Sequence, residues 1–218
     1  MIGSAVTRNG LLLGAFAMLT TAIIAATQLG TKDRIAEQIR QAREKALLEI
    51  VPRDQHDNQM LDAQFDVSDQ DLLHLASQRS GFIATLNGAM KAVILPVIAP
   101  DGYSGKIELL VGINVDGSVA GVRVVQHAET PGLGDKVDLK KSDWILSFNQ
   151  RSLTDPLPER WTVKKDNGEF DQFTGATITP RAVTKAVYNA LLYFHKHQQQ
   201  IERKAVVSQS SGSSQHGQ

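Results

Sequence analysis

The β-sheet part of the fold is indicated most clearly by the segment Lys106-Ile-Glu-Leu-Leu-Val-Gly-Ile-Asn-Val-Asp-Gly-Ser-Val-Ala-Gly-Val-Arg-Val-Val125. Two apolar runs that contain many β-branched residues, 106–115 and 119–125, flank the dipeptide Asp116-Gly117. An Asp-Gly pair between such runs is a strong hairpin signal, because glycine adopts the positive φ that a tight turn requires. The segment therefore predicts two antiparallel strands joined by a short loop.

Further apolar segments surround this hairpin. Phe82–Leu86 and Met90–Ile98 are apolar and partly β-branched, and they predict two more strands. Ser142–Phe148 predicts a short helix, and Trp161–Lys165 predicts a strand that runs into a turn. Strands followed by helices in this order are typical of an α+β domain with an antiparallel sheet, which we expect over residues 53–200.

The C-terminal part of the chain predicts one helix and a tail. Pro180 suits the first position of a helix, because the N–H that it lacks would have no partner there. The apolar residues that follow recur at helical spacing and form one stripe, which consists of Ala182, Val183, Ala186, Val187, Ala190, Leu191 and Phe194. Residues 201–218 end in a run of Ser, Gln and Gly, and we expect them to form a disordered tail.

The N-terminal segment predicts a membrane anchor. No charged residue occurs in positions 9–31, and a helix of that length covers about 34 Å, enough for a hydrocarbon core of about 30 Å. A cleaved signal peptide is the alternative, but the uncharged run is long and its alanines form no clean Ala-x-Ala site. We therefore expect an arm and an uncleaved anchor helix over residues 1–31, followed by a juxtamembrane helix over residues 32–52.

Charge alone leaves the orientation of this anchor open. Arg8 precedes the apolar run, and basic residues also follow it at Lys32, Arg34, Arg40, Arg43 and Lys45. Counted over these residues, the positive-inside rule would keep the bulk of the protein in the cytoplasm. Anchors with a short N-terminal arm nevertheless commonly translocate the domain on their C-terminal side, so the residues are compatible with both orientations.

The composition excludes several kinds of site. Lys+Arg and Asp+Glu are balanced at 23 each, so no net field attracts nucleic acid. The chain has no cysteine, which excludes disulfides, thiolate catalysis, iron–sulfur ligation and cysteine-based zinc sites. The histidines show no metal-ligand spacing, since His195 and His197 would face apart on a helix. Electron transfer by this chain would therefore require an organic cofactor.

The segment Asp171-Gln-Phe-Thr-Gly-Ala-Thr177 predicts an anion-binding loop before the last helix. Backbone N–H groups at a helix N-terminus are unpaired and favour a phosphate. Thr179 directly precedes Pro180 and is the expected N-cap, its hydroxyl accepting from an N–H, whereas Thr177 has no such assignment. A threonine hydroxyl is a weak nucleophile without a base beside it, so its modification would need an external enzyme. The alternative is a plain capping turn that binds nothing.

Three segments, in their order along the chain, resemble one known family. They are Ala99–Gly105, His127–Lys136 and Asp171–Thr177, the last of which is similar to the pattern D-x-x-(S/T)-G-A-T, where a dedicated transferase esterifies FMN phosphate onto a threonine. Together with the anchor, they resemble the G subunit of the Rnf (also called Rsx) ion-translocating electron transport complex. The same type of FMN-binding domain occurs in the C subunit of the sodium-translocating NADH:quinone reductase. The resemblance runs from the anchor to about Phe194.

The resemblance implies a covalently bound flavin. Thr177 would carry FMN through a phosphoester bond, which would make the chain a phosphoprotein. Asp171, Thr174, Gly175 and Ala176 would form the motif around it, with threonine at position 174 where many relatives have serine, an equivalent hydroxyl. Gly175 permits positive φ, and Ala176 leaves the surface uncluttered for a bulky group.

The resemblance also implies a pocket around the flavin. Its residues would come from two loops, with Thr130, Gly132, Leu133, Gly134 and Lys136 in one and Tyr103 and Ser104 in the other. Lys136 would direct its positive charge towards an anionic flavin or phosphate. The plainer interpretations are a tight turn at Pro131-Gly132, a solvated Lys136, a Tyr103 that only packs, and a structural His127 at a strand end.

The function implied by the resemblance is that of an electron carrier within a complex rather than a stand-alone enzyme. FMN would pass electrons in a complex that couples ferredoxin/NAD redox chemistry to ion movement. The partners would be other integral membrane and iron–sulfur or flavin subunits of that complex. A flavin transferase would attach the FMN. The chain would cross the bacterial inner membrane once, with its soluble domain in the periplasm. One alternative is an anchored periplasmic binding or scaffold module without redox activity. The other is a hydrolase that uses Ser104, His127 and Asp135, but no nucleophile-elbow pattern surrounds Ser104.

Overall fold

The fold consists of two long helices and one five-stranded sheet. A computed structural model describes residues 2–212 of the chain. In chain order, the main elements are α1 (Ile2–Ile50), β1 (Gln64–Val67), β2 (Arg79–Leu86), β3 (Ala89–Ala99), β4 (Ile107–Asn114), β5 (Val119–Gln126) and α2 (Ile178–Gly212). Short 3-10 helices lie between β5 and α2. Contacts divide the chain into two units, residues up to 43 and residues from 44 onwards.

The first unit is the apolar part of α1. Among the described residues, α1 is the one helix that is long and apolar enough to cross a membrane, and its most apolar window has a mean hydropathy of 1.9. Its large apolar side chains are exposed, including Leu11, Phe16 and Ile23. Side chains of this kind are mostly buried in a soluble domain, so their exposure along a long helix fits contact with lipid. The helix runs without a break through the expected anchor and juxtamembrane segments and ends at Ile50.

The second unit is built on an antiparallel sheet. Its strand order is β1-β2-β3-β4-β5, and every neighbouring pair is antiparallel. The sheet is therefore a meander, in which each strand returns beside the one before it. This arrangement confirms the predicted α+β class with an antiparallel sheet. The edge strand β1 is an addition that the sequence does not predict, since its alternation of exposed and buried residues extends over only four positions.

The β4–β5 hairpin is closed by a three-residue loop rather than by Asp116-Gly117 alone. The Asn114 N–H donates to the Ser118 carbonyl at 2.8 Å, and the Gly117 N–H donates to the Asn114 carbonyl at 2.9 Å. Gly117 has a φ of +84°, which is the left-handed position that follows the first turn in such loops. The Asp116 carboxylate also accepts from the N–H and the hydroxyl of Ser118, at 2.9 and 2.7 Å.

The predicted strand at 161–165 is wrong. Val163 makes a single bridge to Phe170, and the chain then forms a 3-10 turn over Lys164–Asp166. The Lys164 N–H donates to the Phe170 carbonyl at 2.7 Å, and the Asp166 N–H donates to the Val163 carbonyl at 2.8 Å. These local bonds close a turn and leave no extended run that could pair with the sheet.

Both faces of the sheet are buried. On β3, Val93, Leu95 and Val97 face one core, and Ala92 and Ile94 face the other, because successive side chains of a strand point to opposite faces. The larger core lies under α2, which packs against β3 and β4. The sheet is thus the middle layer of the domain.

The predicted apolar stripe of α2 lies in the larger core, where Val183, Val187 and Leu191 are buried. The helix is longer than the sequence predicts, because it continues to Gly212. Residues 201–212, which we expect from composition to be disordered, are therefore helical, and residues 213–218 lie outside the described residues.

The extension of α2 has a physical reason. Ile201 and Ala205 are buried in the same core as the stripe. They follow Phe194 at helical spacing, and Lys204 between them lies over the ring of Phe65, 5.5 Å from its centroid. The core therefore supports the helix beyond the point where the composition becomes polar.

The smaller core is covered by the last turn of α1. Ile50 lies over the paired glycines Gly112 and Gly121, and a Cβ added to Gly112 would lie 2.2 Å from Ile50 Cγ2. Arg123 binds the helix end, since its Nη2 donates to the Glu49 carbonyl at 2.8 Å and its Nε to the Glu49 carboxylate at 3.0 Å. A guanidinium at this place satisfies a carbonyl that has no partner within the helix.

Candidate functional site

The loop that carries the predicted attachment residue ends at the N-terminus of α2. The Ala176 N–H donates to the Phe173 carbonyl at 3.1 Å, which closes a turn that has Gly175 at a φ of +81°. Thr177 is half-buried and directly precedes Ile178, where α2 begins. The first N–H groups of a helix have no partner within it and carry the positive end of its dipole. The Thr177 hydroxyl is therefore attached to a position that favours an anion.

The predicted role of Thr179 as an N-cap is wrong. The helix begins at Ile178 rather than at Pro180, so Thr179 lies within its first turn. Its side chain is fully buried, with 0% exposure, and its hydroxyl donates to Oε2 of Glu129 instead of accepting from a backbone N–H. Pro180 is compatible with this position, because none of the first four N–H groups of a helix has an intrahelical partner.

A tryptophan supports the start of the loop. The indole N–H of Trp144 donates to the Asp171 carbonyl at 2.7 Å, and its ring meets Phe173 edge-on at a centroid distance of 5.1 Å. Trp144 itself lies in a 3-10 helix, Asp143–Phe148, at the place where the sequence predicts a short helix. The Asp171 carboxylate forms an exposed ion pair with Lys164 at 2.7 Å. The loop is thus held by groups from two neighbouring segments.

The base of α2 is tied to the turn over Lys164–Asp166. Arg181 donates two hydrogen bonds to the carboxylate of Asp166, at 2.7 and 3.1 Å. These bonds hold the pKa of Asp166 below its usual range and raise the pKa of Arg181. The pair is exposed to solvent, so we assign it an orienting role and only a small contribution to stability.

The carboxylate of Glu129, in the loop 127–136, binds both the loop 99–105 and the first turn of α2, which directly follows the loop 171–177. It is only 4% exposed. Its Oε1 accepts from the Ser104 N–H at 2.9 Å, and its Oε2 accepts from Thr179. Two glycines leave room for it, because a Cβ at Gly134 would lie 2.6 Å from Oε2 and a Cβ at Gly102 would lie 3.0 Å from Oε1. The structure thereby brings residues 102–104, 129–134 and the start of α2 together.

The glycine-containing loop is a compact turn beside the loop 171–177. The N–H groups of Leu133 and Gly134 both donate to the Thr130 carbonyl at 3.1 Å, and Gly132 has a φ of +78°. Leu133 is 42% exposed, and its Cδ2 would lie 3.5 Å from a Cβ at Gly175. The two loops therefore approach each other at a glycine, where no side chain separates them.

The remaining predicted site residues are more exposed or make fewer contacts. Tyr103 is 69% exposed, and Ser104 contributes its backbone N–H. Thr174 is exposed at the turn before Thr177. Lys136 is half-buried in the 3-10 helix Gly134–Val137, and no ion pair within the part of the chain that the structure describes includes it. Apart from the hydrogen bond of the Ser104 N–H to Glu129, these residues make none of the close contacts that Glu129 and Gly134 make.

One buried acceptor at this place lacks a partner. Asp135 is 6% exposed, and within residues 2–212 its Oδ1 has no hydrogen-bond partner. A buried carboxylate oxygen without a donor is costly unless a bound group supplies one. A flavin nucleotide fits this set of residues, because it offers a ring N–H as a donor and a phosphate that suits the N-terminus of α2.

Sequence reasoning identifies the three loops but misses the residues that hold them. Glu129 stands at the beginning of the Glu-Thr-Pro-Gly-Leu-Gly segment, and a carboxylate beside two glycines is a detectable signal for close packing. Trp144 gives no such signal, because its partner, Asp171, is 27 positions away. His127 has a structural role, since its Nδ1 accepts from the Glu129 N–H at 3.1 Å.

Comparisons with known families cover most of the chain. Residues 1–50 match the model of the RnfG N-terminal region, and residues 102–192 match the model of the FMN-binding domain. The second match contains all three loops that meet at Glu129.

Curated relatives extend this similarity over nearly the whole chain. A protein of Pseudomonas aeruginosa (strain UCBPP-PA14) is 50% identical over 194 residues, which are 89% of this chain and 91% of the relative. Proteins of Vibrio atlanticus (strain LGP32) and Pseudoalteromonas atlantica (strain T6c / ATCC BAA-1087) are 44% identical over 198 residues and 47% identical over 196 residues. These alignments cover 91% and 90% of this chain and 94% and 91% of the relatives. All three relatives are named as the G subunit of an ion-translocating oxidoreductase complex.

Proposed function

This chain belongs to the family of G subunits of ion-translocating oxidoreductase complexes, and from that premise we propose that it is an electron-transfer subunit whose FMN is esterified to Thr177. The observation that carries the proposal is the position of Thr177. Its half-buried hydroxyl lies directly before α2, in a loop that touches the glycine turn 130–134. The family model supports FMN as the cofactor.

The neighbouring threonines are weaker candidates for the attachment. Thr179 is fully buried, and its hydroxyl already donates to Glu129, so no transferase could reach it in the folded domain. Thr174 is exposed at the turn, three positions before Thr177 and further from the helix N-terminus. Thr177 alone combines access with the unpaired N–H groups that stabilise a phosphate.

The attachment is a phosphoryl transfer in which Thr177 is the acceptor. Its hydroxyl oxygen forms the new P–O bond, and its proton passes to a base of the flavin transferase. The bond that breaks is the phosphoanhydride of an activated flavin nucleotide: the flavin phosphate stays on Thr177, and the nucleoside monophosphate is the leaving group. A threonine hydroxyl requires such an external base, because among the described residues none of the hydrogen bonds places one against Thr177.

The bound FMN supplies one- and two-electron redox chemistry, and the chain supplies attachment and orientation. Leu133 provides an apolar surface beside the loop, and Asp135 provides the buried acceptor that lacks a donor. Covalent attachment suits a relay, because the cofactor cannot dissociate between electron transfers. The partners would be the other integral membrane and iron–sulfur or flavin subunits of a ferredoxin/NAD-linked complex.

The exposed apolar side chains of α1 support an anchored location. We propose that the chain crosses the bacterial inner membrane once through α1 and that its FMN-binding domain lies in the periplasm. A cysteine introduced at exposed Asp155 in the otherwise cysteine-free chain tests this. We expect a membrane-impermeant maleimide to label Asp155→Cys in intact cells with a permeabilised outer membrane. Labelling only after lysis of the inner membrane would contradict the periplasmic location.

The attachment is tested by intact-mass measurement of the full chain produced together with a flavin transferase. We expect an adduct equal to FMN less one water and, after proteolysis, its location on Thr177. Thr177→Ala should abolish the adduct, whereas Thr177→Ser should keep it, because serine retains the hydroxyl. Thr154→Ala, at an exposed threonine outside the three loops, is the matched control and should remain flavinylated. An unmodified wild-type chain would contradict the carrier function and favour a scaffold module.

A further inference from the structure

A buried carboxylate without a cation requires an explanation. Glu129 is 4% exposed, and no cation among residues 2–212 forms an ion pair with it. Burying an uncompensated charge is costly, and charge-assisted hydrogen bonds recover part of that cost. Glu129 has two such bonds, from the Ser104 N–H and the Thr179 hydroxyl. One donor belongs to the loop 99–105 of the candidate flavin site, and the other to the first turn of α2, directly after the loop 171–177.

We propose that Glu129 is a positioning residue that fixes the position of Thr177 relative to the glycine turn 130–134. Through that position, it determines how efficiently Thr177 is modified and how the attached flavin is oriented. This inference rests on the proposed function. Glu129 acts through Thr179 and not by contact with the cofactor. Its role is thus distinct from those of the motif residues that surround Thr177.

The connection to Thr177 passes through the first turn of α2. Thr179 lies two positions after Thr177, in the first turn of α2, whose carbonyls accept hydrogen bonds from the following turn. The Thr177 carbonyl already accepts from the Arg181 N–H at 3.4 Å. A bond that fixes the Thr179 hydroxyl therefore also fixes the backbone from which Thr177 projects.

The other side of the carboxylate is held equally closely. Gly134 and Gly102 pack against its two oxygens, and the Glu129 N–H donates to His127 Nδ1 at 3.1 Å. The carboxylate therefore lies close against both glycines, and its backbone is fixed by His127. Loss of its bonds would release the start of α2 from the glycine turn.

The sharpest test compares two buried threonines of α2. Thr179 and Thr184 are both fully buried, but the Thr184 hydroxyl donates to the Pro180 carbonyl at 2.8 Å and does not contact Glu129. In the full chain produced with a flavin transferase, we expect Thr179→Val to lower the covalent flavin per folded chain about tenfold, because a misplaced hydroxyl reacts more slowly and a misplacement of about 1 Å can cost about a hundredfold in rate. Thr184→Val should retain the wild-type occupancy.

A second pair of variants separates geometry from charge. Glu129→Gln can still accept from the Ser104 N–H, and its amide can donate to the Thr179 oxygen, so it should restore the occupancy that Glu129→Ala loses. The measurement on the flavin itself is quenching of its fluorescence by iodide. We expect the residual flavin in Thr179→Val and Glu129→Ala to be quenched more strongly than in the wild type, because it is held less closely against the turn.

The outcomes distinguish this inference from the function on which it rests. A wild-type chain without covalent flavin would refute the proposed function. A flavinylated wild type with equal occupancy and equal quenching in Thr179→Val and Thr184→Val would refute the role of Glu129 alone. If Glu129→Ala does not fold, the two threonine variants and Glu129→Gln still decide the question.

Discussion

At the scale of single residues, Thr177 and Thr179 have opposite environments although they are two positions apart. Thr177 is half-buried in front of α2, whereas Thr179 is fully buried and bonded to Glu129. A sequence pattern cannot separate these environments, because the partner of Thr179 lies 50 positions away. The chemistry of each hydroxyl is decided by long-range packing.

Gly134 should tolerate no side chain. A Cβ there would lie 2.6 Å from Glu129 Oε2 and 2.8 Å from Thr179 Oγ1. We expect Gly134→Ala to lower the free energy of unfolding by about 1–3 kcal/mol, as overpacking does, and to lower flavin occupancy as well. Urea denaturation and intact mass measure the two effects.

Gly132 is the matched control for that substitution. Its φ is +78°, but nothing lies within 4 Å of an added Cβ. Gly132→Ala should therefore cost only about 1 kcal/mol of backbone strain and leave the Glu129 bonds intact. Equal losses of flavin in the two variants would show that packing around the carboxylate is not the cause.

Asp116 makes the hairpin sensitive to acid. Hydrogen bonds from Ser118 hold the pKa of its carboxyl below the usual 3.8. A carboxyl with a lowered pKa in the folded state stabilises the protein above its unfolded pKa, and this contribution is lost as the pH falls through the folded pKa. We expect Asp116→Ala to cost about 0.5–1 kcal/mol at pH 7, since the site is exposed.

The pH dependence checks that assignment. The difference in unfolding free energy between wild type and Asp116→Ala, measured by urea denaturation, should shrink as the pH falls below 3.8. Asp116→Asn keeps an acceptor for Ser118 but cannot titrate, so its own stability should change less over that range. A difference in unfolding free energy between the wild type and Asp116→Ala that stays constant in acid would contradict the assignment.

At the scale of elements, local signals were sufficient for the hairpin and insufficient for its details. The Asp116-Gly117 pair predicts β4 and β5, because a turn is specified by adjacent residues. The loop nevertheless has three residues, since Asn114 pairs with Ser118. The pattern of residues 171–177 likewise predicts an anion-binding loop, but no local pattern connects it to Trp144, which binds Asp171, or to Glu129, which binds Thr179.

The end of α2 shows the same limit of local prediction. Polar composition indicates disorder beyond residue 200, whereas Ile201 is buried in the core. We expect Ile201→Ala to lower the free energy of unfolding by about 2–4 kcal/mol through the cavity it leaves. Gln200→Ala, at the exposed neighbouring position, should have almost no effect. Comparable stabilities of the two variants in urea would contradict the packing of this segment.

At the scale of the whole domain, both faces of the sheet are apolar and must be packed against other elements. The last turn of α1 packs against one of these faces. Leu47, Ile50 and Val51 complete the smaller core. The last turn of α1 is therefore part of the folded unit that begins at residue 44 and not a linker. Truncation within this turn would expose apolar residues of β2 and β3.

The paired glycines of β4 and β5 test this view. A Cβ at Gly112 would lie 2.2 Å from Ile50 Cγ2, whereas the nearest atom to a Cβ at Gly121 is 3.4 Å away. We expect Gly112→Ala to destabilise the domain by about 1–3 kcal/mol and to speed proteolysis near Pro52, and Gly121→Ala to have little effect. Equal proteolysis rates in the two variants would contradict the packing of Ile50 against this face of the sheet.

The position of Trp144 gives the protein an optical property of its own. The sequence has two tryptophans, and both lie around Phe148, with centroid distances of 5.2 Å for Trp144 and 6.3 Å for Trp161. Trp144 also holds the Asp171 carbonyl. Indole emission overlaps flavin absorption, so a flavin on this loop would quench the ultraviolet fluorescence of the chain by energy transfer. Tryptophan fluorescence should therefore report flavin attachment to this chain, and a fluorimeter can follow it in real time without a label.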